Sequence, residues 1–166
     1  MRSRQVLFIR HAEAEPAGVR GDAERALTAA GRAVFERAAP FFARCCPGLG
    51  IVYASPLRRA HETAELLARA AHATVVSDAT LLPDTSPERF AAWLDARQET
   101  SVALVGHEPA LSGWIGWLLA GERGAAVHVG KGAGILLAVP SPAVAGSAEL
   151  RLAVTAAALA DWRDTP

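Results

Sequence analysis

The chain has 166 residues, a mean hydropathy of +0.19, and 17 basic side chains balanced by 17 acidic ones. With 51% hydrophobic and 20% charged residues it holds ample material for a packed core, and its formal net charge of +0 gives no general field for nucleic acid or an anionic membrane. The length suits a single domain over residues 1–166, and no apolar run reaches the ~18 residues of a membrane span.

Gln5 to Ile9 reads as a buried strand. The pair Arg10-His11 stops the apolar run before it could serve as a signal-peptide core, so the expected compartment is the cytoplasm. A polar, Gly-containing loop follows from Ala12 to about Ala26. Leu27-Thr28-Ala29-Ala30-Gly31 starts a helix with Thr28 as N-cap, ending by Pro47-Gly48. Ile51 to Ala54 is a second strand. Ser55-Pro56 predicts a helix start, with the serine as N-cap and the proline at N1, running to about Ala71.

Thr74 to Val76 is a third strand, Leu81 to Pro87 a loop, Glu88 to Ala96 a short helix, and Ser101 to Val105 a fourth strand. Gly106-His107-Glu108-Pro109 turns into a helix through about Ala120. Gly134 to Val139 and Leu150 to Thr155 are late strands joined by a Pro/Ser/Gly turn. From about Ala158 the chain reads as a short helix or a frayed tail. Strands alternating with helices predict an α/β layered architecture, with a largely parallel sheet of about six strands and a hairpin-like end.

The two cysteines, Cys45 and Cys46, are adjacent, which excludes a disulfide framework and a four-thiolate zinc site. A cysteine-based phosphatase loop would need an arginine where Ile51 and Val52 stand. No His-Glu-x-x-His pattern follows His61 or His107, so no metal is expected. Gly130-Lys131-Gly132-Ala133-Gly134, around the single lysine, lacks Walker spacing and reads as a turn before a strand. Trp114 and Trp117 share a helix face and suit core packing. Arg58, His61 and His72 read as surface or half-buried helix residues, and His128 is unassigned.

In an open α/β sheet, sites form where strands end and helices begin. Three junctions here carry Arg10-His11, Ser55-Pro56-Leu57-Arg58-Arg59 and Gly106-His107. If the strands are parallel, these meet at one sheet edge. Arginine forks and helix N-termini together make a pocket for a phosphoryl group. A neutral histidine there is a nucleophile, and neighbouring arginines disfavour its charged form. Attack on phosphorus would give a phosphohistidine, later hydrolysed by water, with fixed donors stabilising the equatorial oxygens. His107 would donate to those oxygens, protonated when phosphate is bound.

Arg10-His11-Ala12 resembles the Arg-His-Gly signature of the histidine phosphatase superfamily, with alanine in the glycine position. Leu27-Thr28-Ala29-Ala30-Gly31 resembles its Leu-Thr-x-x-Gly, and Ser55 to Thr63 its Ser-Pro-Leu-x-Arg-Ala-x-Gln-Thr, with Glu62 replacing the glutamine. Gly106-His107 resembles its late Gly-His pair. The order matches from residue 5 to about 120. The resemblance implies a three-layer α/β/α sandwich of phosphoglycerate mutase type, needing no cofactor. It makes His11 the nucleophile and assigns Arg10, Arg59 and His107 to the phosphate pocket. Arg25 falls where related sequences have Arg-Pro-Leu-Thr, and could approach the pocket mouth.

The short chain resembles the SixA-type branch, which acts on phosphohistidine in proteins. The expected partners are such a phosphorylated protein or, alternatively, a small phosphorylated metabolite, with inorganic phosphate as product. A mutase or a non-catalytic phosphate-binding module are the rivals. The general acid is left open between Asp84, Glu13 and none, since an imidazole leaving group demands less protonation than an alkoxide.

Overall fold

The structure of the protein, a computed structural model, describes residues 3–122 and 127–163. In chain order its strands and helices are β1 (Ser3–Arg10), α1 (Ala29–Cys45), β2 (Ile51–Ala54), α2 (Arg58–Ala71), β3 (Thr74–Ser77) and α3 (Pro87–Asp95). They continue with β4 (Ser101–Gly106), α4 (Ala110–Ala120), β5 (Gly134–Pro140), β6 (Glu149–Val154) and α5 (Ala156–Arg163). Single 3-10 turns lie at Asp22–Glu24 and Ala79–Leu81.

The six strands run in the order β3-β2-β4-β1-β5-β6. β1, β2, β3 and β4 are parallel, whereas β5 and β6 run antiparallel as the expected hairpin-like end. A strand inside such a sheet must be apolar on both faces. Accordingly Val6 and Phe8 pack with α3 and α4 residues such as Phe90, Leu94, Leu111 and Trp114. Leu7 and Ile9, pointing the other way, pack with Phe35 and Phe42 of α1, Leu67 of α2 and Leu159 of α5. Three layers result, as the motifs implied.

The local signals explain most element ends. Thr28 caps α1 by accepting from the Gly31 backbone N–H at 2.9 Å. Gly31 itself is required by packing, because a Cβ there would stand 2.5 Å from the Glu13 carbonyl oxygen. Gly134 is similar, since a Cβ would meet Phe42 at 2.3 Å. Trp114 stacks on Phe90 with centroids 4.4 Å apart and planes 7° from parallel, while Trp117 is half-buried against the same cluster.

Two readings need correction or completion. Ser55 is not an N-cap: α2 begins at Arg58, with Leu57 in the cap position and no side-chain cap bond. The Ser55 hydroxyl is instead bonded to His107. The C-terminal segment resolves as a helix from Ala156, whose face carrying Ala156 and Leu159 joins the α1 side of the core. Among the described residues no helix is long and apolar enough to cross a membrane.

Candidate active site

Parallel pairing aligns three strand ends. Arg10 is opposite Gly106 across β1 and β4, and Ala54 is opposite Val105 across β2 and β4. The residues that follow, His11, His107 and Ser55, therefore leave the sheet along one edge. Backbone bonds extend the register into the loops: His11 N–H donates to the Gly106 carbonyl at 3.1 Å, and Ser55 N–H to Val105 at 3.0 Å. Beyond β1, the Gly132 N–H lies within 3.2 Å of the His11 carbonyl and 3.1 Å of the Arg10 carbonyl, which fastens the 130–132 turn beneath the histidine.

His11 is 6% exposed. Its Nδ1 lies 2.7 Å from the Ala12 carbonyl oxygen, which can only accept, so this nitrogen carries the ring proton. The lone pair is left on Nε2, where the Arg59 Nε–H approaches at 3.3 Å. Burial lowers the His11 pKa to about 4 and is the largest cause. The bond to Ala12 opposes it, while the charges of Arg59, Arg10 and Arg25 push the same way as burial. Sequence reasoning assigned this suppression to the arginines; desolvation comes first.

Arg59 is also 6% exposed, held one residue into α2. Thr63 couples that helix to the loop that carries His11. Its buried hydroxyl donates to the Arg59 carbonyl at 2.7 Å and accepts from the Ala12 N–H at 3.0 Å. The terminal nitrogens of Arg59 reach Asp22: Nη1 donates to its carbonyl at 2.9 Å and Nη2 to its carboxylate at 3.1 Å. Arg25 donates to the other Asp22 oxygen at 3.0 Å. These guanidinium bonds, that of Arg25 foremost, hold the Asp22 carboxyl below its ordinary range and so ionised.

His107 is 2% exposed, its ring centroid 5.1 Å from that of His11. Its Nε2 lies 2.8 Å from the Ser55 hydroxyl. Burial first, then the charges of His11 and Arg59, lower its pKa to about 3, with Asp22 opposing. Both imidazoles are therefore neutral at pH 7. Arg10 is half-buried and donates from Nη1 to the Val129 carbonyl at 3.0 Å. Four buried side-chain polar atoms lack a hydrogen-bond partner among the described residues, and two of them are Arg10 Nε and His107 Nδ1. Leaving such atoms unpaired costs about 1–3 kcal/mol each, so a ligand that satisfied both would bind with that advantage.

The other candidates lie farther out. Arg25 is bonded to Asp22 and to the Glu15 carbonyl, and borders a cleft of about 270 Å³ lined also by Val19, Arg20 and Arg58. Glu13 is exposed and its carboxylate accepts from the Thr28 hydroxyl at 3.5 Å. Asp84 is exposed in the loop after Leu81, and no hydrogen bond or ion pair among the described residues ties it to the four pocket side chains. His128 is exposed, 4.0 Å from a Glu108 oxygen.

Asp22 and the roles of Ser55, Thr63, Glu62 and Glu108 were not foreseen. For Asp22, the spacing Asp22-x-x-Arg25 was the available signal. Glu62, standing where the motif has glutamine, accepts from the Leu27 N–H at 3.0 Å, Arg32 at 2.9 Å and Arg58 at 2.7 Å. A carboxylate can serve two arginines and a backbone donor at once, so the change fits its surroundings. Among the described residues no group of three or more His, Cys, Asp or Glu side chains is arranged to hold a metal ion.

The ordered motifs, this sheet edge and a match of residues 6–82 to the family model of the histidine phosphatase superfamily (branch 1) all agree: the chain belongs to that superfamily. An uncharacterized protein of Picosynechococcus sp. (strain ATCC 27264 / PCC 7002 / PR-6) is 34% identical over 143 residues, covering 80% of this chain and 82% of its own. Among solved structures, the protein histidine phosphatase SixA complexed with tungstate superposes with a TM-score of 0.82 at 21% identity, covering 93% of this chain and 99% of that one. A mycobacterial glucosyl-3-phosphoglycerate phosphatase superposes at 0.69 with 19% identity, over 91% and 98% of the two chains.

Proposed function

We propose that this protein is a phosphatase in which His11 Nε2 attacks phosphorus. The observation that carries the reading is the environment of that one atom. It bears a lone pair in a neutral, buried ring, faces the Arg59 Nε–H, and is flanked by two side chains with unpartnered buried nitrogens, Arg10 and His107.

In the first step the Nε2 lone pair forms the N–P bond, and the bond from phosphorus to the leaving atom breaks with its electron pair. Arg10 and Arg59 hold the phosphoryl oxygens as charge shifts among them. The Ser55 hydroxyl, turned to donate to His107 Nε2, would leave the ring proton on Nδ1, making that nitrogen a donor to the same oxygens. In the second step water attacks phosphorus, the N–P bond returns its electrons to His11, and inorganic phosphate leaves.

The favoured substrate is a phosphohistidine-bearing protein, as in the SixA-type branch. Two observations support this. The chain matches nearly the full length of a SixA fold. Among the described residues the one carboxylate bonded to the pocket arginines, Asp22, is held ionised, so it is not a resting proton donor. An imidazole leaving group tolerates that better than an alkoxide. A second reading, a small phosphorylated metabolite, is favoured by the likeness to the mycobacterial phosphatase, and would call on Asp84 or Glu13 as acid.

The test is incubation with an activated aryl phosphate, followed by trapping an acid-labile, base-stable phosphoenzyme and locating the modified residue. His11→Ala should abolish it; normal turnover by that variant refutes the proposal. Tight phosphate binding without a phosphoenzyme would make this a binding module. Parallel assays on a phosphorylated histidine domain and a panel of sugar phosphates separate the two substrates.

A further inference from the structure

Arg10 presents a question that the pocket itself does not answer. Among the described residues its guanidinium is anchored by one bond, from Nη1 to the carbonyl of Val129, more than a hundred residues away in sequence. That carbonyl belongs to a loop, not to a strand or helix. The position of a phosphate-binding arginine thus depends on what holds Val129. The Val129 side chain is fully buried, and its backbone N–H donates to Glu108 Oε1 at 2.8 Å. The second oxygen, Oε2, accepts from the Ser112 N–H at 3.0 Å, in the first turn of α4.

Glu108 therefore fastens one peptide unit to the frame of α4, and both ends of Val129 are engaged: nitrogen by Glu108, carbonyl by Arg10. The residue stands immediately after His107, so a single β4–α4 junction controls two corners of the pocket. A helix-capping role alone would account for the Ser112 bond. It would not account for the shorter bond to a loop residue whose carbonyl holds Arg10.

We infer that Glu108 is a positioning residue for Arg10, acting through the backbone of Val129. The inference rests on the phosphate-binding role of Arg10 given above. Removing the carboxylate frees the Val129 N–H, lets the 128–130 segment shift, and leaves the Arg10 guanidinium without its fixed acceptor. Oxyanion affinity falls, while the intrinsic reactivity of His11 does not.

The experiment measures inorganic phosphate binding by titration calorimetry for the wild type, Glu108→Ala, Arg10→Ala and the double variant, with Glu108→Gln included because one acceptor oxygen survives in it. Glu108→Ala alone should weaken phosphate about tenfold, the scale of one charge-assisted bond. In the Arg10→Ala background the same change should cost less than about twofold, since the two residues act on one contact. Steady-state assays should show KM rising more than kcat falls, and Glu108→Gln should recover part of the affinity. Equal losses in both backgrounds would overturn the inference, because Glu108 would then act on stability or on another group. A direct readout does not require turnover: the Arg10 Nε–H resonance, identified by its loss in Arg10→Lys, should shift in Glu108→Ala. An unchanged resonance likewise overturns it. Failure of the wild type to form a phosphoenzyme would instead count against the phosphatase reading, and the resonance would still test Glu108.

Discussion

Acidification should destabilise this fold through two specific side chains, and the size of the effect follows from their burial. His11 and His107, 6% and 2% exposed, titrate at about 4 and about 3 in the folded chain. Unfolded, each has an ordinary histidine value of about 6.5. A ring with a lowered folded pKa takes up its proton only on unfolding. Its stabilising contribution is full above pH 6.5 and is lost as the pH falls, until the folded value is passed. Between about pH 7.5 and pH 5.5 each ring loses roughly 1.4 kcal/mol, and the pair about 3 kcal/mol, out of a typical total of about 5–15. The window lies well above both folded values, so the result depends little on where those fall. It also lies above the carboxylates: the Asp22, Glu62, Asp78 and Glu99 carboxyls are all held low and would add their own losses only at lower pH. Urea unfolding across this window, on the wild type, His11→Asn and His107→Asn, is the assay. Each variant should show a pH dependence smaller by about 1.4 kcal/mol. Variants that follow the wild-type slope would refute the argument, and with it the claim that burial keeps His11 neutral.

Two further outcomes follow from the site. Asp22→Asn removes a mostly exposed carboxylate that occupies Nη2 of Arg59, while the bond from Nη1 to the Asp22 backbone carbonyl stays. Such pairs contribute up to about 1 kcal/mol, so inorganic phosphate should bind about two- to fivefold tighter by calorimetry; weaker binding would mean that Asp22 aligns Arg59 instead of competing for it. Thr63→Val leaves the buried Ala12 N–H without its acceptor, which should cost about 1–3 kcal/mol in urea unfolding and slow phosphoenzyme formation. Thr63→Ser should restore both, and equal stability of the two variants would rule out the proposed bridge.

The architecture was largely readable because its signals are local. The apolar run from Val6 to Ile9 required a strand covered on both faces, and Thr28 with Gly31 marked a helix start that the structure reproduces. Ser55-Pro56 misled for an equally physical reason. Serine before proline is a good cap, but its hydroxyl has a competing partner in His107, supplied by a strand about fifty residues on, and propensity cannot weigh a bond whose other end is unknown. Arg58 and Arg59 illustrate the same limit. They are neighbours of identical chemistry, yet one is paired with Glu62 at the surface while the other is buried against His11.

What the linear chain determined alone is the chemical inventory, two histidines and two arginines at the ends of apolar strands, because residue type and strand periodicity are properties of short segments. Only the tertiary fold decided their states. Parallel register of β1, β4 and β2 aligned the strand ends, burial set both imidazoles neutral, and contacts between distant segments chose which side chains hold the arginines in place. Desolvation and hydrogen-bond partnership arise only when the chain closes on itself, so Asp22, Thr63 and Glu108 gained their meaning there.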